Sequence, residues 1–130
     1  MKSRDNEEDL RIDTDGDVWR FDLIRRGKRL GWLFAVRKDE RLLLSDIVLE
    51  NSKYKGRGIG RRLLDAFLKT AQESGITEIW GSVTQDDIEQ TPYLLDWYAR
   101  LGFTISDPDE ECVHTAAKKI VMKLTKGHEG

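Results

Sequence analysis

A short segment of the chain concentrates glycine and positive charge. Residues 53–62 read Lys-Tyr-Lys-Gly-Arg-Gly-Ile-Gly-Arg-Arg, with three glycines at alternate positions, five cations and no acid. Glycine leaves backbone N–H groups unhindered, so a ligand can approach the main chain closely. A helix beginning where this turn ends would add its first amides and its dipole. The segment therefore predicts a phosphate-binding loop; the alternative is a strand-to-helix turn whose cations are only solvated.

Two common phosphate loops do not fit the spacing of these glycines. A P-loop requires lysine and then serine or threonine after its last glycine, whereas Gly60 is followed by two arginines. The dinucleotide fingerprint G-x-G-x-x-G, begun at Gly56, would require glycine where Arg61 stands. Begun at Gly58, it would require glycine or alanine where Leu63 stands. What remains is a basic residue, two others and then G-x-G.

Length and composition limit the class of protein. A chain of 130 residues with 38% hydrophobic and 35% charged residues suits one small soluble domain, a sheet covered by two or three helices. No apolar run approaches the ~20 residues of a membrane-spanning helix, and the acidic, polar start is unlike a signal or transit peptide.

The ionisable and sulfur-containing residues exclude further classes. Cys112 is the only cysteine, so no intrachain disulfide is expected, and a reducing, cytoplasmic location is the simplest interpretation. One cysteine and two histidines do not predict a metal site. A net charge of −2 argues against a broad basic face for nucleic acid.

The first half of the chain is predicted to be β. Apolar residues alternate over residues 18–24, which places Trp19, Phe21 and Leu23 on a core-facing side. Polar turns separate this run from residues 30–36 and from residues 41–50, which favours an antiparallel meander. Residues 1–16 are acidic and are predicted to be a mobile arm, and residues 126–130 a frayed tail.

The second half alternates between helix and strand. Apolar residues recur at helical spacing over residues 59–74, and Gly75 follows as a helix terminator. Residues 77–83 are predicted to be a strand. Thr91 and Pro92 are predicted to begin a second helix that ends at Gly102. Short strands follow at residues 103–106 and 119–124, with an acidic loop between them.

Two motifs, together with this order of elements, resemble the GNAT family of N-acetyltransferases. Lys55-x-x-Gly58-x-Gly60 resembles the family's loop for the pyrophosphate of acyl-CoA. Residues 97–103, Trp-Tyr-Ala-Arg-Leu-Gly-Phe, are similar to its apolar-Tyr-x-x-x-Gly-Phe signature. The resemblance covers about residues 17–125 and implies a single α+β GNAT-like domain, with a mixed sheet of about six strands and two main helices.

The resemblance also implies an activity. It predicts an acyl-CoA-dependent N-acetyltransferase that moves an acetyl group from acetyl-CoA directly to a primary amine, without a metal. The alternative is a noncatalytic acyl-CoA sensor of the same fold, because fold does not fix activity.

The family's donor site can be carried over residue by residue. In the family, loop amides bind the CoA pyrophosphate, and the strand before the loop diverges from its neighbour so that its backbone pairs with pantetheine. One of those strand amides would polarise the thioester carbonyl. The loop positions are Lys55, Gly56, Arg57, Gly58, Ile59, Gly60 and Arg61, and the strand positions are Val48, Leu49 and Glu50.

Tyr98 is the candidate general acid by its place in the second motif. A phenol can return a proton to the thiolate that leaves the thioester; the alternative is a core tyrosine. Asp46 and Glu50 are candidates for the general base. Alternation along an unbroken strand puts both on one face with Leu44 and Val48, where an acid is unusual unless it is paired or functional. The alternative is ordinary polar residues near a sheet edge.

The chain departs from the family pattern in ways that concern the acceptor. Lys55 stands where arginine or glutamine is usual, and Thr91 where asparagine is common. Family members usually have one or two helices after the first strand, which form part of the acceptor wall, and residues 25–28 leave no room for them. The acceptor site is therefore expected to be open, or to be completed by a second subunit in a homodimer.

Two acidic segments, residues 86–89 and 107–111, are expected to border the acceptor entrance. They would favour a cationic amine. The alternative is that both are solvated turns.

Overall fold

A computed structural model describes residues 8–49 and 58–125 of the chain. In this part of the chain it has seven strands and three helices, which confirms the predicted α+β class with one more strand and one more helix. In chain order they are β1 (Glu8–Asp13), β2 (Val18–Arg25), β3 (Lys28–Lys38), β4 (Arg41–Leu49), α1 (Ile59–Glu73), β5 (Glu78–Thr84), α2 (Gln85–Gln90), α3 (Leu94–Arg100), β6 (Thr104–Ser106) and β7 (Ala116–Lys123).

The strands form one mixed sheet in the order β1-β2-β3-β4-β5-β7-β6. All neighbours are antiparallel except β4 and β5, which are parallel and joined through α1. A parallel pair needs such a crossover because a hairpin reverses the chain direction. The predicted meander is confirmed, and α1 follows its last strand.

The predicted mobile arm is wrong for residues 8–13, which form the edge strand β1. It pairs antiparallel with β2 from Glu8↔Arg25 to Asp13↔Arg20. The acidic composition hid the alternation of Leu10 and Ile12, and an edge strand tolerates charge on its other face. Residues 14–17 join β1 to β2 and hold no helix. Residues 1–7 and 126–130 lie outside the described residues, so the rest of the arm and the tail stay predictions.

The core lies between one face of the sheet and α1. Trp19 and Phe21 are buried as predicted, and Phe67 of α1 meets both rings edge-on at centroid distances of 6.5 and 5.7 Å. Leu63 and Leu64 are also buried on that face of the helix. Gly75 follows the helix with φ +79°, a conformation that glycine adopts without penalty.

The single helix predicted after β5 is instead two helices. Thr84 caps α2 through a reciprocal capping box, in which its hydroxyl accepts from the Asp87 amide and the Asp87 carboxylate accepts from the Thr84 amide. Thr91 ends α2 and does not cap a helix, and α3 begins at Leu94. The acids of residues 86–89 therefore lie on a helix, not in the predicted loop.

On the face of the sheet opposite α1, cationic side chains lie over the aromatic rings. Guanidinium carbons lie 4.0 Å from the ring centroid of Trp32, 5.0 Å from that of Phe34 and 5.4 Å from that of Trp80. The cations over these rings are Arg29, Arg20 and Arg41, and the Lys119 ammonium also lies over Trp80. Cation–π contacts thus shield much of the apolar surface that this face carries.

The acidic loop between β6 and β7 is bound to the sheet by ion pairs. Arg41 donates to Glu111 at 2.8 Å and to Glu78 at 2.7 Å, and Lys119 donates to Asp109 at 2.7 Å. The Arg41 guanidinium, and then Lys119, lowers the pKa of the Glu111 carboxyl from 4.5 to about 2. The acids of this loop that were predicted to meet the acceptor are therefore largely engaged with cations of the chain itself.

We expect Glu111→Gln to lower the free energy of unfolding at pH 7 by about 1 kcal/mol, the upper range for partly exposed ion pairs. A carboxyl with a lowered folded pKa stabilises fully above its unfolded pKa, and this contribution is lost as the pH falls through about 2. Thermal unfolding measured at several pH values from 7 to 2 should show that the difference in unfolding free energy between variant and parent becomes smaller as the pH falls. Glu110→Gln is the control, and an equal loss in both variants at pH 7 would contradict the network.

Candidate functional site

A cleft opens in the sheet where β4 and β5 separate. The two strands pair only from Arg41↔Glu78 to Leu43↔Trp80. Beyond these three pairs the facing backbone groups are not satisfied within the sheet, and the strands border a cleft of about 670 Å³. Its lining comes from β4, the start of α1, β5, α2, α3 and β7. The divergence that the family resemblance implied is thus present, at the predicted strand.

The cleft brings together many of the predicted site residues. Asp46, Val48, Gly58, Ile59, Gly60, Arg61 and Tyr98 all line it. Glu50, Lys55, Gly56 and Arg57 lie outside the described residues, and only the backbone of Leu49 is described. The assigned roles of all these residues stay predictions.

A β-bulge in β4 decides which way Asp46 faces. Phe34 of β3 pairs with Asp46, and Ala35 pairs with Leu44, which leaves Ser45 as the extra residue. An extra residue moves every later side chain to the other face of the sheet. Leu44 is 5% exposed in the core, whereas Asp46 is exposed at the cleft.

The predicted shared face of Leu44 and Asp46 is therefore wrong. It assumed an unbroken alternation, and a bulge depends on the pairing partner as well as on the strand itself. Asp46 and Val48 both line the cleft.

The first turn of α1 points its amides toward the cleft without a side-chain cap. Gly58, at the N-cap, has φ +79°, and among the described residues no atom beyond its chain neighbours lies within 4 Å of where its Cβ would stand. At Gly60 a Cβ would lie 3.4 Å from the Trp97 ring, so glycine lets α3 pack closely on this turn. An uncapped helix start with unhindered backbone is suited to an anion such as a phosphate.

The two arginines after Gly60 are held differently. Arg61 lines the cleft and pairs with Asp65 one turn later at 3.1 Å. Arg62 binds Glu8 of β1, and its Nε also donates to the Gly58 carbonyl at 3.4 Å. Arg61 is thus the better placed of the two to meet a ligand in the cleft.

Tyr98 presents an unpartnered hydroxyl to the cleft. The residue is 6% exposed, and its ring packs on Trp97 and Phe103 at centroid distances of 5.3 and 5.4 Å. Among residues 8–49 and 58–125, nothing hydrogen-bonds its hydroxyl. Burial, and then the charges of Asp87 and Asp46, raises the pKa of the phenol, so it stays protonated at neutral pH. The residue is both a core tyrosine and a proton donor facing the cleft.

Two carboxylates lie in the same cleft near Tyr98. Burial, and then the charge of Asp87, raises the pKa of the Asp46 carboxyl above its ordinary value. Asp87 belongs to α2, and its Oδ2 accepts from the Thr84 amide at 3.0 Å. Asp87 was expected at the acceptor entrance but not beside Asp46. The Thr84-x-x-Asp87 capping box is the signal that would have put α2 directly after β5.

Two further properties follow from the described part of the chain. Residues 8–49 and 58–125 contain no group of three or more His, Cys, Asp or Glu residues arranged to hold a metal ion. Within the same ranges, every helix is too short or too polar to cross a membrane.

The sequence profile of the Acetyltransferase (GNAT) family matches residues 3–103, more than half of the chain. The chain belongs to the GNAT family. This match confirms the family inferred from the loop and the tyrosine motif. No curated protein sequence matches the chain significantly.

Solved structures of GNAT proteins share the fold. The PaiA N-acetyltransferase of Thermoplasma acidophilum, in complex with coenzyme A, aligns with a TM-score of 0.70 at 19% identity over 83% of this chain. The chain spans 62% of the length of that protein. The ribosomal-protein-S18-alanine N-acetyltransferase of Escherichia coli aligns with a TM-score of 0.65 at 21% identity, over 90% of this chain and 74% of its own length. Nourseothricin acetyltransferase aligns with a TM-score of 0.67 at 20% identity, over 91% of this chain and 85% of its own length.

We expect Gly58→Asp to weaken acetyl-CoA binding about tenfold more than Gly58→Asn does. Both side chains meet the same positive φ and the same open space, so the pair differs mainly in a negative charge placed beside the helix start. Isothermal titration of both variants, with circular dichroism as a check on folding, measures this difference. Equal affinities would show that no phosphate sits at this turn.

Proposed function

We propose that the protein is an N-acetyltransferase that moves the acetyl group of acetyl-CoA directly to a primary amine. The observation that carries the proposal is that the uncapped start of α1 and the hydroxyl of Tyr98 line one cleft, at the point where β4 and β5 separate. Membership of the GNAT family and the coenzyme A complex of the Thermoplasma relative support an acyl-CoA donor.

The donor would be held by backbone groups from two elements. The amides at the start of α1, from Gly58 to Arg61, would bind the pyrophosphate, together with the loop residues Lys55, Gly56 and Arg57. The pantetheine arm would pair with the diverging backbone of β4 at Val48 and Leu49, and with Glu50, which lies outside the described residues. An amide of this strand would then donate to the thioester oxygen as negative charge develops on it.

The acceptor must lose a proton before it can attack. An alkylamine with a pKa near 10.4 is neutral in about one molecule in 2,500 at pH 7. Asp46 is the best placed proton acceptor among the described residues, because its raised pKa brings the carboxyl closer to the pH at which it works. Glu50 stays an alternative base. The acceptor would approach a side that lacks a helix between β1 and β2.

Transfer then exchanges one bond for another. The neutral amine forms a C–N bond to the thioester carbon, and the C–S bond breaks as the tetrahedral intermediate collapses. The departing thiolate takes the phenolic proton of Tyr98, whose raised pKa keeps it available as a donor. The proton removed from the ammonium before attack is released to the solvent. The new C–N nitrogen loses a second proton as the amide forms, and this proton returns to the tyrosine through the cleft or the solvent, so the enzyme is regenerated.

We expect Tyr98→Phe to lower kcat by about 100-fold, the lower range for a general acid, with little change in acetyl-CoA affinity. The aromatic ring supplies the packing on Trp97 and Phe103, so the variant should stay folded. Single-turnover release of free thiol measures the chemical step, and isothermal titration measures donor binding.

An unchanged single-turnover rate would show that Tyr98 has only a structural role. Acetyl-CoA binding without thiol release for any amine would instead indicate a noncatalytic acyl-CoA-binding module.

A further inference from the structure

Two carboxylates of the cleft have no cationic partner among the described residues. Asp46 and Asp87 both line the cleft, close enough for the charge of Asp87 to raise the pKa of the Asp46 carboxyl. Within residues 8–49 and 58–125, neither forms an ion pair. Arg61 lines the same cleft but is held by Asp65.

The other acidic segment expected at the acceptor entrance, residues 107–111, is less free to bind a cationic ligand, because most of its carboxylates are paired with cations of the chain. Asp107 accepts from Lys118 at 3.1 Å, and Asp109 and Glu111 accept from Lys119. Arg41 adds a further bond to Glu111. Among the described residues, three of the four acids in the loop between β6 and β7 are therefore paired with cations, whereas the two acids in the cleft are not.

An independent feature points to a ligand at the same place. Tyr98 is 6% exposed, and its hydroxyl faces the cleft without a hydrogen-bond partner in the described ranges. A buried polar group is normally satisfied by protein or by ordered water, and this hydroxyl can be reached from the cleft, where a bound molecule can take the place of that water. The hydroxyl and the two carboxylates thus converge on one space that can accept N–H donors.

The Asp87 carboxylate is also held in a fixed direction. Its Oδ2 accepts from the Thr84 amide at 3.0 Å in the capping box of α2. That bond leaves Oδ1 for a ligand, and Asp46 of β4 lines the same cleft. A site with one anchored carboxylate and one free carboxylate is suited to an ammonium group, which offers three N–H donors.

We propose that Asp87 and Asp46 form an ammonium-binding site that selects cationic amines as acceptors, with diamines preferred over monoamines and over amines that carry a carboxylate. The inference rests on the proposed acetyl transfer and names the substrate class of that cleft. Two carboxylates are balanced by two positive charges, whereas an added carboxylate on the ligand is repelled. Asp87 is thus a specificity-determining residue beside the proposed base.

Three probes of equal length test the charge preference. Butane-1,4-diamine, butylamine and 4-aminobutanoate share a four-carbon chain and one amine but differ in the charge of the far end. We expect the CoA-saturated protein to bind the diamine about tenfold tighter than butylamine, and 4-aminobutanoate most weakly. Isothermal titration at two salt concentrations should show the preference shrinking as salt screens the charges. Equal affinity for all three would overturn the proposal.

A matched pair of variants tests the residue. Asp87→Asn keeps an oxygen for the Thr84 amide but removes the charge, and we expect it to lower diamine affinity about tenfold. Asp86→Asn makes the same change on the same helix at an exposed position outside the cleft lining, and should leave affinity within about twofold. Asp46→Asn, which does not touch the capping box, should repeat the loss. Equal effects of Asp86→Asn and Asp87→Asn would overturn the assignment.

Acetyl transfer is measured separately from binding, as thiol release with each probe. Tight diamine binding without transfer would reject the proposed function and leave the ammonium site standing. Transfer to all three probes with equal kcat/KM would reject the ammonium site and leave the proposed function standing.

Discussion

The parting of β4 and β5 after three residue pairs is the constraint on which the rest of the site depends. Parallel strands that stayed paired would satisfy their own backbone and leave no space between them. Once they separate, the start of α1 and Tyr98 of α3 both line the space between them. The bulge at Ser45 lies at the same place and turns Asp46 into the opening. One irregularity in the sheet thus produces both the binding space and the groups that line it.

The helices stabilise this opening by packing on each other as well as on the sheet. Trp97 of α3 lies against the glycine of the first turn of α1, and the adjacent Tyr98 ring packs on Phe103. A larger residue at Gly60 would push α3 away from the helix start. The anion-binding end of one helix and the proton donor on the other are therefore placed by a single close contact between an aromatic ring and a glycine.

The parts of the fold and site that depend on residues close together in the sequence could be predicted from it. The glycine spacing predicted the turn before α1, and the segment from Thr91 to Gly102 predicted a helix that bears Tyr98, which the structure has as α3. The bulge at Ser45 and the Arg41–Glu111 ion pair were not predictable, because each depends on a distant partner that the chain brings close only when folded. β1 was missed because its acids outweighed the alternation of two apolar side chains.

The face of the sheet opposite α1 has a consequence for the protein in solution. Flat aromatic rings on an open sheet invite association with other chains. Here guanidinium groups lie over the rings of Trp32, Phe34 and Trp80, so charged groups separate these rings from the solvent. Arginine keeps its charge across the physiological range, so this covering does not change with pH. Three arginines and Lys119 thus cover an aromatic surface that would otherwise be open to solvent.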